Sequence, residues 1–167
     1  MAAVQSFPLA TKVSVPASHW DGLAAVDLFA PCGTPWTAVF DGIAQPIDAP
    51  LGGNALLLTA ADGTVAYYAH GKPERTSGQV RAGQVIGYVS DSGNAKGTGC
   101  HLHFAVGRHG IDDNGAGDLD PAAWLAGAEA KPLGGTEDPG NGKWRTVAIA
   151  GIAAVGALML LDALIGD

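Results

Sequence analysis

Short apolar stretches separated by turn residues run from Val13 to Leu125 and predict an antiparallel β domain. The strand-like runs are Ala24–Phe29, Trp36–Phe40, Ala55–Thr59, Thr64–Ala69, Gln84–Val89 and His101–Val106. Asp41-Gly42 follows one run and Asp62-Gly63 separates two others, and such pairs are strong hairpin signals. Asp120–Leu125 predicts a short closing helix, with Asp120 as N-cap and Pro121 at the first helical position. From Gly127 to Lys143 the chain turns to Gly, Pro and charge, the composition of a linker.

The apolar pattern then changes scale. Thr146 to Leu161 carries no charge and is built from Val, Ala, Ile, Gly, Met and Leu. As a helix it spans roughly 24 Å, and continuing past Asp162 brings it to the ~20 residues that a bilayer core requires. Trp144 and Arg145 precede it like an interfacial belt. The expected organisation is an N-terminal extension (1–12), the β domain (13–126), a linker (127–143) and a transmembrane helix (144–167). A buried or oligomer-forming apolar helix is the other reading of the tail.

Composition narrows the partners. With a net charge of -7 and a pI near 5.0, the chain lacks the cationic surplus that nucleic acid demands. A hydrophobic fraction of 47% against 15% charged residues excludes a disordered chain. Met1–Lys12 lacks a basic start followed by an apolar core, so it does not read as a secretory signal. Cys32 and Cys100 each lie close to a candidate site residue, and either a disulfide or two unpaired thiols fits that placement.

The sharpest chemical feature is His101-Leu102-His103 within a strand-like run. Side chains alternate across a strand, so the two imidazoles project from one face. His70 closes another run just before Gly71, at a strand-to-loop edge. Asp27 sits within Ala-Val-Asp-Leu-Phe, where an unpaired carboxylate would cost several kcal/mol. His19 lies upstream of that run, and His109 falls in a polar Arg-His-Gly loop that reads as exposed.

In order along the chain, Ala25-Val-Asp27-Leu-Phe-Ala-Pro-Cys-Gly-Thr-Pro35, Tyr67-Tyr-Ala-His70, Gly83-Gln-Val-Ile-Gly87, Ser92-Gly-Asn94 and Gly99-Cys-His-Leu-His-Phe104 resemble the M23 (lysostaphin/LytM-type) peptidase domain over residues 19–125. The resemblance implies a mainly β, compact antiparallel sheet of the duplicated-hybrid-motif kind and one Zn²⁺ per chain. It implies Asp27 and His103 as metal ligands and His70 and His101 as catalytic histidines. The usual first ligand is a histidine four residues before the aspartate, where this chain has Leu23. His19, eight residues before Asp27, is assigned in its place, with Asp21 as the fallback. Two histidines and one carboxylate leave a tetrahedral position open, as in catalytic zinc sites.

The expected function is zinc-dependent cleavage of peptide stems or cross-links in bacterial peptidoglycan. The other expectation is an inactive M23-like peptidoglycan-binding or structural membrane protein. A wall-cutting domain without an export signal suggests a membrane-anchored protein of a phage virion, a lysin used in entry with virion or envelope protein partners, or of a bacterial envelope.

Overall fold

The computed structural model describes residues 5–19, 21–130, 135–137 and 144–146. Its strands are β1 (Ala25–Phe29), β2 (Pro35–Thr37), β3 (Gly42–Ala49), β4 (Gly53–Thr59), β5 (Val65–Gly71), β6 (Gly78–Val80), β7 (Val85–Tyr88), β8 (His101–Gly107), β9 (Gly135–Glu137) and β10 (Trp144–Thr146). Six of them form one antiparallel sheet in the order β1-β8-β5-β4-β3-β6, and β2 pairs with β7 in a small second sheet. The architecture is mainly β, as expected.

Alternation along the central strands gives the large sheet two different faces. Val26, Leu28, Leu102, Phe104, Val106, Ala66, Tyr68, Leu56 and Leu58 turn to one side and build the principal core with Trp36 and Phe40. Ala25, Tyr67, Ala69, Ala105 and Ala55 turn to the other side, into a smaller cluster. Asp27, His101 and His103 have the parity of this second set. The apolar interior therefore holds the strands while the opposite face carries the polar chemistry.

Within the core, Tyr68 is fully buried, yet its hydroxyl accepts from Val39 N at 3.0 Å and donates to Thr37 O at 3.0 Å. Trp36 lies against Tyr68 with ring centroids 5.8 Å apart. A Cβ on Gly87 would stand 2.5 Å from Cε3 of Trp36, so glycine is the residue that lets this indole seat. Gly87→Ala is expected to cost about 1–3 kcal/mol, the usual penalty of overpacking. Thermal unfolding measures it, and an unchanged midpoint would show that the indole yields.

Two expected hairpins fared differently. Asp62-Gly63 does join β4 to β5, with Asp62 accepting from Thr64 N at 3.0 Å. Asp41-Gly42 does not join consecutive strands: β2 pairs with the distant β7, and Asp41 instead accepts from Ala82 N at 2.8 Å. The expected strand Trp36–Phe40 shrinks to Pro35–Thr37, because Ala38 bonds to the Arg81–Gln84 turn instead, donating to Gln84 O and accepting from Gly83 N. The closing helix is Pro121–Trp124, capped by Asp120 accepting from Ala122 N and Ala123 N.

At the N-terminus, Phe7 and Leu9 are fully buried in the core and Leu9 bridges to Trp36. At the other end, β9 and β10 pair as a two-stranded ribbon, so Gly135–Glu137 of the expected linker and Trp144–Thr146 of the expected helix are strands. The apolar run from residue 147 on lies outside the described residues. Among the described residues, no helix is long and apolar enough to cross a membrane.

Candidate metal centre

β1, β8 and β5 lie side by side and set the site by register. Asp27 stands directly across from His103, Phe29 from His101, and Ala69 from His103 on its other flank. His70 has the parity of Tyr68 and would face the core in a regular strand. It does not, because β5 carries an extra residue: Leu56 pairs with Tyr68 but Asn54 pairs with Gly71, so Ala69 and His70 together oppose Ala55. Such a bulge re-aims a side chain. His70 has φ +65, the sole positive φ outside glycine among the described residues. Strain of this kind is retained where the surroundings over-determine it, here by His70 N donating to Gly52 O at 2.8 Å and Ser90 N donating to His70 O at 2.9 Å.

His19, Asp27 and His103 offer one ligand atom each, all within 4.8 Å of one another. His19 Nε2 lies 3.2 Å from Asp27 Oδ2, and His103 Nδ1 lies 3.0 Å from Asp27 Oδ1. The partners of the other ring nitrogens decide what these atoms are. His103 Nε2 is 3.0 Å from Gly115 O, which can only accept, so Nε2 carries the hydrogen. His19 Nδ1 faces the Asp21 carboxylate, which fixes its hydrogen in the same way. In the neutral tautomers, two imine lone pairs therefore point at the two oxygens of one carboxylate. Acceptors do not gather like this without positive charge between them. The donor set fits a divalent cation, and the outer partners Asp21 and Gly115 orient the ligands as such partners do in zinc sites.

Burial raises the Asp27 carboxyl, but its hydrogen bond with His103 and the charges of His103, His101 and His19 outweigh it and hold it below its ordinary value. The site keeps an anion here.

The remaining two histidines share a second pattern. His70 Nδ1 donates to Ser92 O at 2.9 Å and His101 Nδ1 donates to Gly99 O at 2.9 Å. Their rings are 4.7 Å apart, and each leaves Nε2 away from its backbone anchor, that of His101 lying 3.8 Å from Asp27. The structure thus brings all five expected site residues together. Leu23 lines the groove but has no donor atom, and Asp21 stands behind His19. His109 is exposed and pairs with Asp118, away from the site. Sequence reasoning missed the carbonyls of Ser92, Gly99 and Gly115, for which residue type carries no signal.

These groups floor a groove of about 1160 Å³. Asp21, Asp27, Asp48, Asp112 and Asp113 line it, and no Lys or Arg does among the described residues. Burial pushes the Tyr67 hydroxyl up to about 12, so this lining residue stays a hydrogen-bond donor.

Burial, reinforced by the charge of His101 and opposed by the Ser92 carbonyl, lowers His70 from 6.5 to about 4. The unfolded chain therefore takes up this proton at a higher pH than the folded one. Stability is full above pH 6.5 and falls as pH drops toward 4, by roughly 3 kcal/mol for this shift. Melting of the metal-free protein is expected to weaken across that window, and His70→Gln to flatten the dependence. An identical slope in the variant would exclude His70 as its source.

The family model for peptidase family M23 matches residues 22–115, more than half of the chain. The chain belongs to peptidase family M23. That match takes in Asp27, His70, His101 and His103 and begins just after His19. The M23 fold is visible in solved structures. The lysostaphin catalytic domain from Staphylococcus simulans aligns with a TM-score of 0.55 and 26% identity, over 75% of this chain and 90% of that one. A catalytic domain of the prophage-encoded M23 protein EnpA from Enterococcus faecalis aligns at 0.51 and 29%, over 69% and 91%. A zinc-containing peptidase from Vibrio cholerae aligns at 0.52 and 26%, over 63% of this chain and 36% of that one. Among curated proteins, the DD-carboxypeptidase/endopeptidase Mpg of Neisseria meningitidis is 38% identical over 87 residues, or 51% of this chain. The matched stretch is 20% of Mpg, so the likeness concerns the M23 domain alone.

Proposed function

We propose that this M23 domain is a zinc-dependent endopeptidase that cuts peptide stems or cross-links of bacterial peptidoglycan. The observation that carries the proposal is the convergence of His19 Nε2 and His103 Nδ1 on the two oxygens of Asp27. Zinc bound by these three residues would supply a Lewis acid that activates water and polarises a carbonyl. His70 and His101 present Nε2 on the same side, one to take the proton of the attacking water and the other to protonate the leaving amine or stabilise the oxyanion. The open groove admits an extended peptide, and its carboxylates disfavour an anionic polymer as substrate. Mpg and lysostaphin, named as an endopeptidase and an antimicrobial peptidase, support this reading.

The apolar run beyond residue 147 is proposed as a membrane anchor, in a phage virion or a bacterial envelope. Membrane flotation of the full chain, against a chain ending at residue 146, tests the anchor. Mass spectrometry of virions, if the source is a phage, tests the location.

Digestion of purified sacculi tests the chemistry. The zinc-loaded chain is expected to release peptide fragments with new amino termini, to stop with a chelator, and to resume with zinc. New reducing sugar ends in place of new amines would overturn the peptidase reading.

A further inference from the structure

The Cys32–Cys100 disulfide joins the turn after β1 to the residue immediately before His101, with Cα atoms 5.3 Å apart. Its 68-residue span closes a long loop and so constrains the unfolded chain. Its position suggests a narrower task.

His70 and His101 are held by different means. A bulge inside the sheet and two short backbone hydrogen bonds fix His70. His101 stands at the start of β8, just after the Gly-rich stretch that ends at Gly99. Its backbone N reaches Ser90 O at a long 3.4 Å, and its pairing with Phe29 is the last rung of β1 with β8. Its ring is oriented by Nδ1 donating to the carbonyl of Gly99, a residue with φ +102 that the chain leaves only through Cys100. Whatever anchors Cys100 therefore anchors both the imidazole and the acceptor that aims it. On the far side, Cys32 lies five residues after Asp27, so the bridge ties the turn that follows the carboxylate's strand to the strand start carrying the histidine.

We propose that the Cys32–Cys100 disulfide positions His101 and makes the activity of the domain depend on redox state. The kinetic part rests on the peptidase reading above, but the positioning part does not. Cys32 is exposed and Cys100 half-buried, so a small reductant has access. A trialkylphosphine serves as the probe, because a dithiol would compete for zinc. Its phosphorus attacks one sulfur and breaks the S–S bond; water then delivers oxygen to phosphorus. The products are two thiols and one phosphine oxide.

The test uses the full zinc-loaded chain, below its thermal transition, with the fold followed by far-UV circular dichroism. On reduction kcat is expected to fall about tenfold or more, within the ~10²-fold that a small misplacement costs. KM and bound zinc should stay unchanged, and kcat should return on reoxidation. Imidazole ¹⁵N–¹H NMR gives a readout independent of activity. The exchange-protected Nδ1–H signal of His101 is expected to disappear on reduction, while that of His70 persists. A reduced protein with unchanged kcat and an unchanged His101 signal would overturn the proposal. If reduction unfolds the chain, the Cys32→Ala/Cys100→Ala variant is measured instead, and unfolding there too would also overturn it, by making the bridge a general staple. If the oxidised chain cleaves no peptide but the His101 signal responds, the peptidase reading fails and the positioning role stands.

Discussion

Asp27→Ala protein is expected to purify folded, without zinc and without peptidase activity. Asp27 touches both His19 and His103, with one oxygen for each. Its removal leaves two neutral nitrogens, too few to hold a divalent ion. The loss of zinc affinity should exceed the ~10–100-fold that follows from removing an outer partner of a ligand. Asp21→Ala, which deletes the acceptor behind His19 together with its bond from Leu23 N, should fall within that smaller range. His19→Ala should behave like Asp27→Ala, although the usual ligand position is Leu23. Metal analysis of the three proteins decides the matter. Stoichiometric zinc in Asp27→Ala, or full loss in Asp21→Ala with none in His19→Ala, would mean that the ligands have been assigned wrongly.

The second large effect separates chemistry from metal binding. His70→Ala and His101→Ala are each expected to keep one zinc per chain and to lose about 10²–10⁴-fold in kcat, the usual contribution of a positioned proton-transfer group. Neither ring belongs to the converging trio, and each is anchored through Nδ1 to a backbone carbonyl. Because the two Nε2 atoms would serve one reaction in the proposed mechanism, the double variant should lose less than the product of the single losses. Steady-state kinetics on a defined cross-linked muropeptide, with zinc measured on the same samples, reads both quantities. Wild-type kcat in either single variant would remove that histidine from the mechanism.

The site was legible in the sequence to the extent that side-chain type reports it. His101 and His103 declared a shared face through strand alternation, and Asp27 declared itself as a carboxylate in an apolar run. His70 stood out through its place at a strand-to-loop edge before Gly71 and through resemblance, although alternation alone would send it into the core; the bulge that turns it outward involves Ala55 and Ala69, which carry no mark. His19 lies outside the family match, and only the fold of the segment before β1 shows that it arrives at Asp27. Three of the four tautomers are set by the carbonyls of a serine and two glycines, which residue type does not report; the fourth is set by the Asp21 carboxylate, considered only as a fallback ligand. In the fold, β3 escaped notice because Pro46, Gln45 and Asp48 interrupt its apolar pattern, although its partners β4 and β6 satisfy its backbone on both sides. Asp41-Gly42 misled because a local turn signal cannot report that the adjoining strand pairs with one almost fifty residues away.

The pairing of Asp27 with His103 spans 76 positions of chain. In the unfolded polypeptide the Cys32–Cys100 bridge tethers these two segments but orients neither side chain, so the candidate cage comes into being only when β1 docks on β8. Zinc held there would stabilise the native state, by about 2.7 kcal/mol at a hundredfold excess over its dissociation constant. Withdrawing the ion would accordingly loosen the β1 edge first, exposing it to proteases before the remaining five strands. The supply of metal would in this way set the lifetime of the domain as well as its turnover.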